Sequence, residues 1–257
     1  MILSWLKERR RKKILASPFP SPWLAYLRNN VIQYDSLTPV EQAKLRDDLR
    51  VFIAEKNWEG CAGLELTDEM KVTIAGQACL MALALDGDPF GQVLSILVYP
   101  TPYAVPEEHW HEGWSIAGEA AHLGESWYRG PVILSWADVR RDARHPGEGR
   151  NLVWHEFAHQ LDMLDRSTNG TPPLADPQQR RRWHDVMTKE FEQLIADADE
   201  GRATLLDTYG ASSEAEFFAV ATECFFDCPV DLRSEHPRLY ELLGEYYRQD
   251  PAARMGG

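Results

Sequence analysis

A chain of 257 residues can bury a core without disulfide or metal staples, and its length suits one large domain or two small ones. A formal net charge of −13 repels phosphate backbones and argues against direct nucleic-acid binding, and no stretch approaches the roughly 20 apolar residues of a membrane span. The four cysteines, Cys61, Cys79, Cys224 and Cys228, make no zinc-knuckle or CxxC pattern; they read as buried free thiols and fit a reducing, cytoplasmic setting.

From the N-terminus, residues 1–15 run apolar and then basic (Lys7, Arg9, Arg10, Arg11, Lys12, Lys13), the reverse of a signal peptide. The segment is predicted to be a solvated, frayed arm, with contact to an acidic partner or membrane surface as the alternative. Residues 14–37 are rich in Pro, Ser and aromatics and read as a loop-like lead-in. The expected division is therefore an arm and lead-in over 1–34, a catalytic domain over 35–251 and a tail over 252–257. Within the domain, 35–90 should be helical, 91–136 a sheet, and 149–251 helical around the functional site.

Thr38-Pro39-Val40-Glu41 is a helix start, with a capping threonine, proline at the first position and glutamate at the third, and the helix should run to about Lys56. A second helix is predicted from Asp68 to Leu85, ending before the turn Asp86-Gly87-Asp88-Pro89. The β-branched runs 92–99 and 131–136 read as strands, and 118–128 reads as another. Arg129-Gly130 is short enough for a hairpin, so the sheet is predicted to be mixed or antiparallel. Further helices are expected near 151–164, 177–198, 213–227 and 236–248, giving an α+β fold.

Residues 151–162 read NLVWHEFAHQLD. His155 and His159 lie four apart, about 400° round an α-helix, so both imidazoles leave one face a turn apart. That is the placement of two nitrogen ligands on one zinc ion, and Glu156 beside them is placed to accept a proton from water activated there. This is the H-E-x-x-H pattern. A third protein ligand is needed. Glu216 and Glu223 lie seven apart on one face of an otherwise apolar predicted helix, where a carboxylate needs a partner. Spacing alone leaves alternatives open: Ser213–Glu216 is also a capping box, and Glu223 suits an exposed position or a salt bridge. Asp162, three after His159, and Glu223 are both candidates to orient a ligand imidazole from behind. His109 and His111, with Glu112, read as a polar loop in preference to a second metal site.

The runs HEFAHQLD, DTYGAS (207–212) and AEFFAVATECFF (215–226), with GPVILSW (130–136) and LVYP (97–100), resemble the Mlc titration factor A family of bacterial zinc peptidases over about residues 35–251. The resemblance implies a zincin-like fold and one zinc ion per chain. It implies His155, His159 and Glu216 as ligands, Glu156 as catalytic base and Tyr209 at the active site, where a phenol can hydrogen-bond a developing oxyanion. It also implies short peptides as substrates, cleaved from the amino end, and binding to a transcriptional repressor of the Mlc type. The rival reading is a non-catalytic, repressor-sequestering protein with a structural zinc; retention of Glu156 argues against it. A peptide substrate is expected to lie along an edge strand, 118–128 or 131–136, beside the motif helix.

Overall fold

The computed structural model describes residues 2–102 and 130–256. Its first departure from expectation is at the N-terminus, where residues 2–15 form helix α1 (Ile2–Leu15) and residues 21–30 form α2 (Ser21–Asn30). The basic run of α1 folds back onto the chain's own carboxylates. Arg11 meets Glu55 and Asp88 at 2.6 Å, Lys7 meets Asp88 at 2.7 Å, and Arg10 donates to the Ala54 carbonyl at 3.1 Å. The lead-in is helical because Pro22 falls in the first turn of α2, where the missing N–H is no loss. Leu27 is then fully buried, and Trp23 Nε1 donates to Asp68 at 3.0 Å.

The capping box at Thr38 and Glu41 is formed and opens α3 (Pro39–Glu55). Strand β1 (Asn57–Gly60) follows, then α4 (Asp68–Met81), whose residues are buried almost all round, as befits a helix in the middle of the core. Strands β2 (Ser95–Tyr99) and β3 (Val132–Ser135) complete a sheet of order β1-β2-β3. Both pairings are parallel, with Asn57 opposite Ser95 and Ile96 opposite Val132. This overturns the antiparallel expectation. Parallel neighbours need a long crossover, and residues 61–94, carrying α4, supply it between β1 and β2. The predicted strand 118–128 and its hairpin, like His109, His111 and Glu112, lie outside the described residues.

Ser135 ends β3 and caps α5 (Trp136–Arg144), a helix the strand reading did not anticipate. The motif helix α6 (Leu152–Asp162), α7 (Pro177–Asp199), α8 (Glu214–Asp227), α9 (Pro229–Glu235), α10 (Pro237–Tyr247) and α11 (Pro251–Arg254) follow. The fold is thus α+β and mostly helical. α6 and α8 pack on each other, α4 packs on α6 from another side, and β3 lies against α6. No helix among the described residues is long and apolar enough to cross a membrane.

Candidate metal centre

Asn151 starts the motif helix by accepting from the Trp154 N–H at 3.0 Å. The residues between the polar positions then anchor it. Phe157 is fully buried and meets the rings of Phe90 and Phe52 at 4.7 and 5.8 Å. Trp154 packs on Phe226 of α8 and donates to the Gln77 carbonyl of α4 at 3.1 Å. Burial of each such aromatic contributes about 1.5–3 kcal/mol, so the helix is fixed in rotation as well as position. Three carboxylates hold its approach. Asp227 accepts from the Gly147 and Gly149 N–H groups at 2.9 and 2.8 Å, Glu223 from Asn151 N–H at 2.5 Å, and Asp142 from Leu152 N–H at 2.9 Å. Asp142 and Asp227 were not singled out from the sequence, because their partners lie 10 to 80 residues away.

With α6 so held, His155 and His159 turn their rings into one space, Nε2 to Nε2 at 3.2 Å. α8 brings Glu216 to the same point. Its Oε2 lies 3.0 Å from His155 Nε2 and 3.4 Å from His159 Nε2. The Ser213 hydroxyl accepts from the Glu216 backbone N–H at 3.2 Å, so capping and site placement coexist at one residue. These three side chains form the candidate metal-holding group among the described residues. Ligands at about 2.0–2.1 Å from a tetrahedral zinc ion lie roughly 3.3–3.4 Å from one another. The observed separations of 3.0, 3.2 and 3.4 Å fit that triangle. Two nitrogens and one carboxylate oxygen are also a donor set that zinc accepts.

The surroundings draw positive charge to this point. Burial pushes the His155 pKa down, but the Glu223 and Glu216 carboxylates outweigh it and leave it well above the usual histidine range. Burial likewise pushes the Glu216 carboxyl up, and the two imidazoles more than offset this, leaving it below the usual carboxylate range. Behind the ring, His155 Nδ1 meets Glu223 Oε1 at 2.7 Å, so of the two candidates Glu223 is the one in contact with an imidazole of the group. Asp162 does not do the same for His159. Its carboxylate accepts from the Gly170 and Thr171 N–H groups at 2.9 and 2.8 Å, because the chain after α6 turns back over it, and His159 Nδ1 is buried without a partner among the described residues. Gly170 is required at that turn: φ is +69°, and a Cβ there would lie 2.3 Å from the Glu214 carbonyl oxygen.

Glu156 is buried. Burial raises its pKa to about 7, the two neighbouring imidazoles opposing. Tyr209 sits in a short 3-10 turn, Thr208–Ser212, ahead of α8, capped by Asp207 accepting from its N–H at 2.9 Å. Its ring centre is 6.1 Å from that of His155. Arg150, just before α6, reaches Asp207 at 3.4 Å and ties the two segments together. A cleft of about 40 Å³ opens beside His155 and Tyr209, with Arg150 and Asp207 on its wall. Of the two strands expected to dock a peptide, β3 is an outer strand of the β1-β2-β3 order among the described residues and lies against α6, and 118–128 lies outside the described residues.

The family model described as glucose-regulated metallo-peptidase M90 matches residues 5–248, beginning well ahead of residue 35, where the sequence resemblance was expected to start. The chain is 37% identical to an uncharacterised protein of Synechocystis sp. over 96% of its own length and 90% of the relative's. It is 32% identical to Mlc titration factor A of Yersinia pestis, covering 85% of this chain and 82% of that one, with the same figures for the Yersinia pseudotuberculosis protein.

Proposed function

The chain belongs to the M90 family of glucose-regulated metallo-peptidases, and on that premise we propose that it is a zincin-like, zinc-dependent peptidase. His155, His159 and Glu216 are the side chains that hold the metal, and Glu156 is the base. The observation that carries this is the triangle of Nε2, Nε2 and Oε2 atoms, whose 3.0–3.4 Å sides match those of a tetrahedral zinc site. A zinc ion held there supplies a Lewis acid that polarises a carbonyl and lowers the pKa of water.

The chain's own residues do the rest. A Glu156 carboxyl with a pKa near neutrality can take a proton from the attacking water and pass it to the departing amine. Glu223 holds the His155 Nδ1–H, which leaves the Nε2 lone pair facing the metal position. Tyr209, tied down through Asp207 and Arg150, is placed beside His155 to donate its hydroxyl to the developing oxyanion. Short peptides cleaved from the amino end are the proposed substrates. The four free cysteines support a cytoplasmic setting.

The test is Glu156→Gln, which should keep zinc and lose roughly a hundred- to ten-thousandfold in peptide hydrolysis. Unchanged turnover would remove Glu156 from the mechanism. The name of the Yersinia relatives supports a second role, binding a repressor of the Mlc type. The two roles are compatible: Glu156→Gln should still bind the repressor. A wild-type protein that binds repressor and zinc but hydrolyses no peptide would favour the non-catalytic alternative.

A further inference from the structure

A second cleft lies away from the metal centre, between α1, α3 and the turn after α4. Its volume is about 220 Å³, larger than the roughly 150 Å³ of an apolar cavity that takes up benzene. Phe52, Val51, Leu85 and Phe90 give it an apolar wall, and none of His155, His159 or Glu216 lines it. The Phe52 and Phe90 rings also pack on Phe157 of α6, so the wall is continuous with the motif helix.

Among the described residues the charges round this cleft are paired with one exception. Asp47 meets Arg50 at 3.6 Å. Arg11 pairs with Glu55 and Asp88 at 2.6 Å, and Lys44 pairs with Asp48 at 2.5 Å. Lys56 is half-buried, yet among the described residues it has no carboxylate within ion-pair distance. Its ammonium donates to the Phe90 carbonyl at 2.5 Å and lies 5.1 Å from the centre of the Phe52 ring. Burial pushes its pKa below the usual lysine range, with the Asp88 and Glu55 carboxylates opposing from beyond ion-pair distance. An ammonium has three donors, and a partly desolvated charge calls for an opposite one. The cleft also carries Asp47, Asp48, Glu55 and Asp88, which disfavour a doubly charged guest.

We propose that this cleft is a binding site for a small monocarboxylate with a phenyl-sized apolar body, its carboxylate on Lys56 and its ring on Phe52 and Phe90. The site stands independently of the metal-centre reading, because binding is measured without any hydrolysis.

The experiment is calorimetric titration of the full chain with phenylacetate, with its neutral amide and with phenyl phosphate. Wild-type protein should bind phenylacetate saturably in the millimolar range or tighter, at least tenfold more tightly than phenylacetamide, and phenyl phosphate more weakly. Lys56→Met should weaken phenylacetate by roughly ten- to a hundredfold and leave the amide nearly unchanged. Ala82→Leu, which fills the cleft with Lys56 in place, should block both, and it carries the test if Lys56→Met does not fold. Absence of saturable phenylacetate binding to wild type, equal affinity for acid and amide, tighter binding of phenyl phosphate, or full phenylacetate affinity in either variant would overturn the assignment. In the first case Lys56 only pins the turn at Phe90.

Discussion

Glu223 touches no metal position, yet it should control metal affinity. Its two carboxylate oxygens do two jobs: Oε1 holds His155 Nδ1 at 2.7 Å and Oε2 takes the Asn151 N–H at 2.5 Å. Both partners are donors when His155 presents its Nε2 lone pair forward. Glu223→Gln has one acceptor oxygen and one NH2 group, so it cannot satisfy both. If the amide oxygen stays on Asn151, the NH2 faces Nδ1 and favours the tautomer with hydrogen on Nε2, which removes the ligand lone pair. If it stays on Nδ1, the Asn151 N–H at the helix start loses its acceptor, at about 1–3 kcal/mol. In the first case zinc binding should weaken roughly ten- to a hundredfold, equivalent to about 1.4–2.7 kcal/mol, and in the second the loss appears as lower stability of the fold. Glu223→Ala abandons both donors and should lower the melting temperature of metal-free protein by roughly 2–12 °C, from about 1–3 kcal/mol at about 2–4 °C per kcal/mol for a chain of this size. A chelator-competition titration reads the first number and thermal unfolding the second. Wild-type zinc affinity together with wild-type stability in Glu223→Gln would refute the reasoning.

Tyr209→Phe should keep zinc and fold, lower kcat roughly ten- to a thousandfold and leave KM nearly unchanged; a raised KM with intact kcat would make the phenol a substrate-binding group instead. Glu216→Gln keeps the size and the Ser213 cap but removes the charge, so zinc affinity should fall by at least tenfold in the same chelator competition, and an unchanged affinity would place the third ligand elsewhere. Asp227 has its pKa raised by burial to about 6 from 3.8, with two glycine N–H bonds opposing. Folding therefore favours its protonated form. The stability it contributes is full below about pH 4 and is lost as pH rises through about 6, by about 2–3 kcal/mol. Asp227→Asn keeps an oxygen for both N–H groups and should flatten that slope in urea unfolding between pH 4 and 7; an unaltered slope would mean that Asp227 ionises freely in the fold.

What the sequence reveals of this molecule is set by how local each feature is. His155, Glu156 and His159 are legible because a spacing of four sets both imidazoles on one face of one helix. The caps at Thr38 and Ser213 are legible because capping is a matter of three residues. Glu216 was ambiguous by spacing for a sound reason: its backbone N–H is capped while its carboxylate faces the imidazoles. Asp162 misled because a spacing of three from His159 says nothing of the loop that returns over it at Gly170. The residue that orients His155 comes from 68 positions away. The sheet was least legible. β1 alternates exposed and half-buried residues and carries no apolar run, and its parallel partner is chosen only after α4 has crossed over. Helix α2 was masked by prolines that fall where a helix tolerates them.

The central claim is that hydrolysis depends on one metal ion held by His155, His159 and Glu216. Protein stripped with a chelator and back-titrated with zinc, with peptide hydrolysis followed throughout, tests it most directly. Activity should be absent at the start, rise linearly and level off at about one equivalent of zinc per chain, and His155→Ala should show no rise. Full activity in the stripped protein, or the same titration curve from His155→Ala, would contradict it.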